Sequence, residues 1–187
     1  MKTDMRVILT KRLLREGLLS LLKEKTLSRI TVTDLCQASG VNRATFYNHY
    51  ETVPMILRDI LREYAEKIEQ TFRSEMSAGH SEEAALEACL SYLLEKKEEI
   101  SFLFSRNTES YMSGYGLEIV NDFISRYKGV LKKQIGCSDD EITLYMITTA
   151  SGAYGLILTW LTNDMKQSPK EITAILHKLF TIRSVQI

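Results

Sequence analysis

Apolar positions recur with helical spacing along almost the whole chain. In residues 5–25, leucines and a valine lie three or four positions apart, and basic side chains fill the opposite side. This pattern predicts an amphipathic helix, and no stretch alternates apolar and polar positions as a half-buried strand does. We therefore predict an all-α fold. Beyond a long fourth helix that ends near residue 76, the predicted helices cover residues 82–97, 98–106, 110–135, 139–164 and 169–182.

Two short helices joined by a tight turn are predicted between residues 30 and 50. Thr31 is placed to cap the first of them, and Asp34 follows three residues later as in a capping box. Gly40 can end that helix in the left-handed conformation. Asn42 then caps a second helix over residues 43–49. The arrangement is that of a helix-turn-helix.

Other helix starts carry similar signals. Thr52 is predicted to cap the fourth helix, in which Pro54 is tolerated in the first turn. Ser138 and Ser168 are each followed three residues later by a glutamate, and a proline follows Ser168 directly. These patterns predict sharp helix starts at residues 139 and 169.

The second helix of a helix-turn-helix can enter the DNA major groove. Arg43 can make a bidentate contact to guanine, and Thr45 can reach a base edge or a thymine methyl group. Tyr47 and His49 can donate to phosphates, as can backbone N–H groups near Thr33. A glycine turn between two short helices also occurs in proteins that do not bind DNA, so the motif needs independent support.

The charge distribution supplies that support. The chain has 187 residues, enough for one large domain or two small ones. Residues 1–62 hold 11 Lys or Arg against 6 Asp or Glu, whereas the remainder holds 13 against 18. A basic first third favours contact with a polyanion. We predict a DNA-binding domain over residues 1–52 and a helical domain over 53–187, connected by the fourth helix at about 53–76.

The segment from Ile30 to Tyr50, ITVTDLCQASGVNRATFYNHY, resembles the DNA-binding signature of the TetR-family transcriptional regulators. The motif's position after one helix, the chain length and the all-helical remainder also match. The resemblance implies a cytoplasmic, dimeric repressor that binds a palindromic double-stranded operator, needs no cofactor or metal, and is released by a small-molecule effector. The residues implied to contact DNA are Thr33, Asn42, Arg43, Ala44, Thr45, Tyr47, Asn48 and His49.

One departure from the family pattern concerns the start of the fourth helix. Many members place there a lysine that contacts a phosphate, whereas this chain has Val53 and Pro54. Arg58, a turn further on, is a poor substitute. We expect a weaker operator affinity or a salt dependence shallower by about one unit. The departure also keeps open an alternative, a protein-interaction module that docks to or activates a partner enzyme.

The family also implies a homodimer formed by the last two long helices. Residues 142–163 contain no charged side chain over 22 positions, long enough to span a bilayer. Threonines and glycines interrupt the segment and no basic flank precedes it, so a helix in a soluble bundle is favoured over a membrane span. A core helix within one subunit is the alternative. The predicted interface comprises Leu144, Gly152, Gly155, Leu156, Trp160, Ile172, Ile175, Leu176 and Leu179.

Aromatic residues of the later helices are candidates for an effector pocket, although aromatics at helical spacing more often belong to a core. The candidates are Tyr64, Phe102, Phe104, Tyr111, Tyr115, Phe123, Tyr127 and Tyr145. The run from Gly155 to Leu161 resembles a C-terminal domain type common in Firmicutes members of the family. Neither feature identifies a ligand.

The remaining composition argues against other chemistry. Three cysteines and three histidines are scattered without metal-ligand spacing, which disfavours a disulfide scaffold or zinc site and favours a reducing cytoplasm. Cys89 is expected to be buried, and Cys137 lies near acidic residues that raise a thiol pKa, so a thiol switch is disfavoured. The chain shows no signal-peptide pattern, and no catalytic constellation predicts an enzyme.

Overall fold

A computed structural model describes residues 5–126, 128–129, 132, 136 and 138–181. Within these residues the regular structure is helical, which confirms the all-α prediction. A short 3-10 turn, Leu27–Arg29, joins the first two helices. The helices are α1 (Met5–Leu22), α2 (Val32–Ser39), α3 (Arg43–Tyr47), α4 (Pro54–Ser77), α5 (Glu82–Glu95), α6 (Lys97–Leu103), α7 (Glu109–Arg126), α8 (Asp139–Thr162) and α9 (Pro169–Thr181).

Local hydrogen bonds set the geometry of α2 and α3, as the sequence predicts. The Thr31 hydroxyl oxygen accepts a hydrogen bond from the Asp34 amide at 3.1 Å, and the Asp34 carboxylate accepts one from the Thr31 amide at 2.9 Å. Gly40 has φ 69°, a left-handed conformation that costs glycine little. The Asn42 side-chain oxygen accepts from the Thr45 amide at 2.8 Å. These three cap predictions are confirmed.

The predicted cap at Thr52 is wrong. The residue before α4 is Val53, whose backbone is already helical at φ −59° and ψ −42° and whose side chain makes no cap bond. The Thr52 carbonyl instead accepts a hydrogen bond from the Met55 amide at 3.2 Å. Pro54 occupies the first turn as predicted, and because it lacks an N–H group, α4 has one donor fewer to satisfy.

The helix starts at α8 and α9 are confirmed. Ser138 and Glu141 form a reciprocal capping box, and Ser168 makes the same pair of bonds with Glu171. The other predicted boundaries agree to within three residues, the largest differences being that α1 ends at Leu22 and α6 at Leu103. The predicted end of α7 at residue 135 lies outside the described residues.

Buried side chains form one continuous cluster from the N-terminal helices into the bundle. It includes Leu18 of α1, Phe46 of α3, Leu57 of α4 and Trp160 of α8. In the bundle, α4 packs on α5 and α7, while α9 packs on α5 and α8. The helix α4 therefore joins the two parts through its buried face, and the predicted boundary after residue 52 stays a prediction.

The helices α7 and α8 approach closely at a glycine. A Cβ atom at Gly116 would overlap the ring of Tyr154, whose hydroxyl donates to the Met112 carbonyl at 3.1 Å. The missing side chain thus lets the tyrosine lie across α7. This contact holds the two helices at a fixed separation beside the interior of the bundle.

Candidate nucleic-acid interface and ligand cavity

The buried ring of Phe46 orients α3. Phe46 is completely buried, with the Tyr47 ring edge-on at 5.2 Å between centroids and the Tyr50 ring at 6.2 Å. Because this one face is packed, the opposite face of α3 is presented to solvent. Arg43, Ala44 and Asn48 are exposed there.

The other predicted DNA contacts also reach the surface. Tyr47 is 52% exposed, Thr33 is exposed in the first turn of α2, and Thr45 and His49 are half-buried. Asn42 is exposed, but its side-chain oxygen is already used in capping α3. Its amide nitrogen is therefore the group left to meet a ligand.

An acidic residue at the start of α2 is held ionised. Hydrogen bonds from the amide and hydroxyl of Thr31, together with Lys25 at 3.0 Å, lower the pKa of the Asp34 carboxyl to about 2. The carboxylate stabilises the positive end of the helix dipole. Lys25 offsets the negative charge of this carboxylate at the surface of α2.

A polar cluster that sequence reasoning missed fixes the end of the helix-turn-helix on α4. The Asp59 carboxylate accepts from the Lys11 ammonium at 2.7 Å and from the Tyr50 hydroxyl at 2.8 Å. Partial burial opposes ionisation, yet these two bonds lower the pKa of Asp59. Burial and the bond to Asp59 raise the pKa of Tyr50. The cluster therefore ties α1 and the residue after α3 to α4.

A second set of contacts ties α1 to the bundle. Arg15 contacts Glu63 of α4 at 2.6 Å and Glu99 of α6 at 2.8 Å, and its guanidinium lies over the Tyr64 ring. Asn107, between α6 and α7, donates from Nδ2 to the Leu22 carbonyl at 2.8 Å. The Asn107 carbonyl also accepts from the Leu27 amide at 2.8 Å. The turn before α7 thus contacts the end of α1 and the start of the 3-10 turn that leads to α2.

A cavity of about 320 Å³ lies between α4 and α7, with further walls from α5, α8 and α9. Its apolar lining is mainly aliphatic, with Leu61, Leu86, Leu90, Ile119 and Ile157 among the contributing side chains. The charged side chains at its rim are Arg58, Arg62, Glu66, Glu69, Glu118, Asp122 and Arg126.

Of the aromatic residues predicted to form a pocket, the structure places Tyr115 in this lining. Tyr64 is buried under Arg15, and Phe102 lies below the Lys23 ammonium at 4.9 Å from its centroid. Phe104 and Tyr111 pack against the core, and Tyr145 is half-buried elsewhere on α8. The side chains of Phe123 and Tyr127 lie outside the described residues. Of the six whose side chains the structure describes, one therefore lines this cavity, and the prediction for Phe123 and Tyr127 stays a prediction.

Two ion pairs join α4 to α7 across the cavity rim. Arg58 lies 2.8 Å from Glu118, and its guanidinium also stacks on the Tyr115 ring at 5.5 Å. Further along both helices, Arg126 pairs with the largely buried Glu69. These pairs connect the helix that carries the helix-turn-helix to a wall of the cavity.

The predicted dimer face is partly exposed and partly covered in the single chain. Leu144 is 67% exposed, and Gly155 and Ile175 are also exposed, with Gly152 and Leu156 half-buried. Three other predicted positions, Trp160, Ile172 and Leu176, are buried within the subunit. The side chain of Leu179 lies outside the described residues.

The helix α8 is long and apolar enough to cross a membrane by length and composition. In the single chain, 28% of the most apolar 18-residue stretch of this helix is buried. Its exposed apolar residues include Ile147, which is 54% exposed. Much of the surface of α8 therefore lies uncovered in one copy of the chain.

The thiol and metal chemistry of the described residues is limited. Burial, with a contribution from Glu75, raises the pKa of the Cys89 thiol to about 11, in line with the expectation that Cys89 is buried. Cys137 lies outside the described residues. Among the described residues, no group of three or more His, Cys, Asp or Glu side chains is placed to hold a metal ion.

An exposed, capped second helix on an all-helical bundle is the arrangement that helix-turn-helix regulators share. The family model described as "Transcriptional regulator C-terminal region", a C-terminal type of the TetR family, matches residues 81–181. The chain therefore belongs to the TetR family of transcriptional regulators, which confirms the resemblance drawn from residues 30–50.

Individual relatives are distant. The chain is 23% identical over 164 residues to the uncharacterized HTH-type transcriptional regulator YxbF of Bacillus subtilis (strain 168). That match covers 85% of this chain but 41% of YxbF, so the chain spans about two fifths of the length of this curated relative.

Two solved structures share the fold. The fatty acid degradation regulator FadR from Bacillus halodurans superposes with a TM-score of 0.59 at 14% identity, covering 98% of each chain. The dihydroxyacetone kinase operon activator DhaS superposes with a TM-score of 0.55 at 17% identity, covering 92% of this chain and 94% of its own. At such low identity these likenesses show the fold alone.

Proposed function

We propose that the protein is a cytoplasmic, homodimeric repressor that binds a palindromic operator through α3 and is released by a small molecule. The exposed face of α3, fixed from behind by Phe46, carries this proposal. A helix held in this way can enter the major groove without first becoming ordered, so binding loses little conformational entropy.

The proposed contacts divide into two kinds. Arg43, Ala44, Thr45 and Asn48 face base edges and specify sequence. Tyr47 and His49 donate to phosphates, as do the backbone groups near Thr33. Asn42 acts mainly through the helix it caps.

Variants of two residues of α3 test this division. Arg43→Ala should relax sequence preference at one operator position, because a bidentate contact to guanine is lost, at about 1–3 kcal/mol. Tyr47→Phe should weaken binding to operator and random DNA alike, because only the phosphate donor is removed. Fluorescence anisotropy on both duplexes measures each effect. Equal losses of both variants on both duplexes would contradict the assigned roles.

The proposed dimer uses the exposed residues of α8 and α9. Leu144 and Ile147 project apolar surface that a second copy would cover, which is the usual explanation for such a patch. A two-fold axis there would set the two α3 helices about 34–36 Å apart, one turn of DNA.

Charge substitution tests the dimer. Leu144→Glu should give a folded monomer in sedimentation velocity. The introduced carboxylate would be buried in the apolar interface without a charged partner, which destabilises the dimer. Met76→Glu on α4, where the side chain is also exposed, serves as the matched control and should stay dimeric. A dimer that survives Leu144→Glu would place the interface elsewhere.

The proposed effector acts through the cavity. One wall of the cavity is α4, whose Asp59 binds Tyr50 at the end of the helix-turn-helix. Another wall is α7, which follows the turn in which Asn107 binds the end of α1. An occupant that shifts α4 against α7 would change the spacing of the two α3 helices. Any such coupling must come from a difference in the effector's affinity for the two arrangements.

A second candidate function follows from the start of α4. Val53 and Pro54 stand where a phosphate-contacting lysine is common in the family, and Val53 is buried. A protein that docks to a partner enzyme would need no such lysine. Salt-dependent retention on heparin separates the readings, because the DNA-binding protein should elute at high salt and a docking module should not bind.

A further inference from the structure

The lining of the cavity extends along α4 from Arg58 to Phe72, so we call the cavity a slot between α4 and α7. Two α4–α7 ion pairs lie along it: Arg58 pairs with Glu118, and Glu69 pairs with Arg126. At about 1.5 Å per residue, the two α4 positions lie about 16 Å apart along the helix axis. A ligand seated between the pairs is therefore long and narrow, and about 320 Å³ is at the lower end of drug-sized sites.

The interior of the slot is apolar. Leu61 and Leu90 are buried core residues, and Phe72 lines the slot in the same buried cluster as Cys89. The Cys89 thiol already donates to the Ile68 carbonyl at 3.4 Å. Among the described lining residues, every charged side chain belongs to α4 or α7 at the rim. A charged group that entered the interior would lose hydration without gaining a partner there.

The rim disfavours an acid. Two of its three arginines are already paired, Arg58 with Glu118 and Arg126 with Glu69. Glu69 is also paired with Arg73, just outside the lining. The remaining arginine, Arg62, shares the slot with two further carboxylates, Glu66 and Asp122. A carboxylate ligand would have to displace a glutamate from its arginine, or compete with Glu66 and Asp122 for Arg62.

We propose that the cavity takes an elongated, largely apolar and uncharged molecule. An aliphatic alcohol fits this chemistry, whereas the fatty acid of the same chain length does not. The inference deepens the proposed function, because it names the class of effector that the regulator would sense. The test separates ligand class from regulation by measuring occupancy and operator release independently.

Cys89 provides the occupancy readout. In a Cys36→Ser/Cys137→Ser background, we would measure at pH 9 the rate at which methyl methanethiosulfonate modifies Cys89 in the presence of decanol or decanoate. Because burial raises the pKa of this thiol, titration calorimetry of the same protein with each molecule gives occupancy independently of thiol reactivity. Decanol should slow modification at a half-saturating concentration about tenfold or more below that of decanoate, since the acid must desolvate its charge. Equal or better protection by decanoate, or protection by neither molecule, would overturn the proposal.

A pair of variants tests whether protection of Cys89 by decanol requires the slot to be open. Ala65→Phe fills the slot from α4 and should abolish protection by decanol. Ala84→Phe places the same ring on the exposed face of α5, outside the lining, and should leave protection unchanged. Circular dichroism checks that each variant folds, and Ile119→Phe on α7 replaces Ala65→Phe if the latter does not. Protection that persists in a folded slot-filling variant would place the ligand elsewhere.

Operator binding is measured on the same samples. Release of the operator by decanol and not by decanoate supports both the ligand class and the proposed regulation. Protection of Cys89 with unchanged operator binding supports the ligand class and contradicts the proposed effector role. If decanol does not protect Cys89 although the protein still binds the operator, the proposed ligand class is wrong and the proposed DNA recognition is unaffected.

Discussion

Replacing Asn107 with alanine should weaken the connection between the helix-turn-helix and the bundle. The Asn107 amide donates to the Leu22 carbonyl at 2.8 Å. That carbonyl lies in the last turn of α1, where the helix itself offers no partner. The Asn107 backbone carbonyl keeps its bond from the Leu27 amide, so the variant removes one hydrogen bond and leaves the chain path intact.

The expected loss follows from the chemistry of that bond. The net contribution of one hydrogen bond to the free energy of unfolding is about 1 kcal/mol. Leaving the partly buried Leu22 carbonyl without a donor lowers the stability by about 1 kcal/mol more. We expect Asn107→Ala to lower the free energy of unfolding by about 1–2 kcal/mol. Urea denaturation followed by circular dichroism measures this, and hydrogen exchange should show faster exchange in the α1–α2 connection.

Asn121→Ala is the matched control, because Asn121 is exposed on α7. It should change the free energy of unfolding by less than about 0.5 kcal/mol. If Asn107→Ala is no less stable than Asn121→Ala, and exchange near Leu27 is unchanged, then the Asn107 contact does not hold the two parts together.

Two further predictions concern packing and pH. Gly116→Ala should destabilise the fold by about 1–3 kcal/mol in urea denaturation, because its Cβ would overlap the Tyr154 ring. Gly114→Ala, where a Cβ meets open space, should be neutral or slightly stabilising, and equal effects of the two would contradict the packing argument. The pKa of Asp34 is lowered from its ordinary 3.8 to about 2, so its contribution to stability is present above the ordinary value and is lost as the pH falls towards about 2. Asp34→Asn should flatten the stability profile in that window, and an unchanged slope there would refute the assignment.

Sequence reasoning succeeded where short-range chemistry decides the structure. Thr31, Asp34, Gly40 and Asn42 act within three or four positions of their partners, so their spacing alone predicted the caps. Thr52 has the right residue type for a cap but lies in a turn that is already helical at the next residue. Residue type therefore predicts a cap only where the helix begins directly after that residue.

The site features that sequence reasoning missed depend on the packing of distant segments. Asp59 meets Lys11 from 48 positions away, and Asn107 meets Leu22 from 85. Neither pair has a periodic signature. The sequence pattern points to aromatic residues for a pocket, whereas helix packing places Tyr64 under Arg15 of α1 and leaves a mainly aliphatic cavity between α4 and α7. A local pattern cannot predict which apolar side chains leave a space between them.

Selection of binding sites from a pool of random DNA duplexes tests the central claim most directly. The purified protein would be used at low salt, with sequencing of the bound fraction. We predict enrichment of a palindrome with half-sites about one helical turn apart, since two α3 helices of a dimer should read successive major grooves. No enrichment by a folded, monodisperse sample would contradict operator recognition and favour the protein-interaction reading.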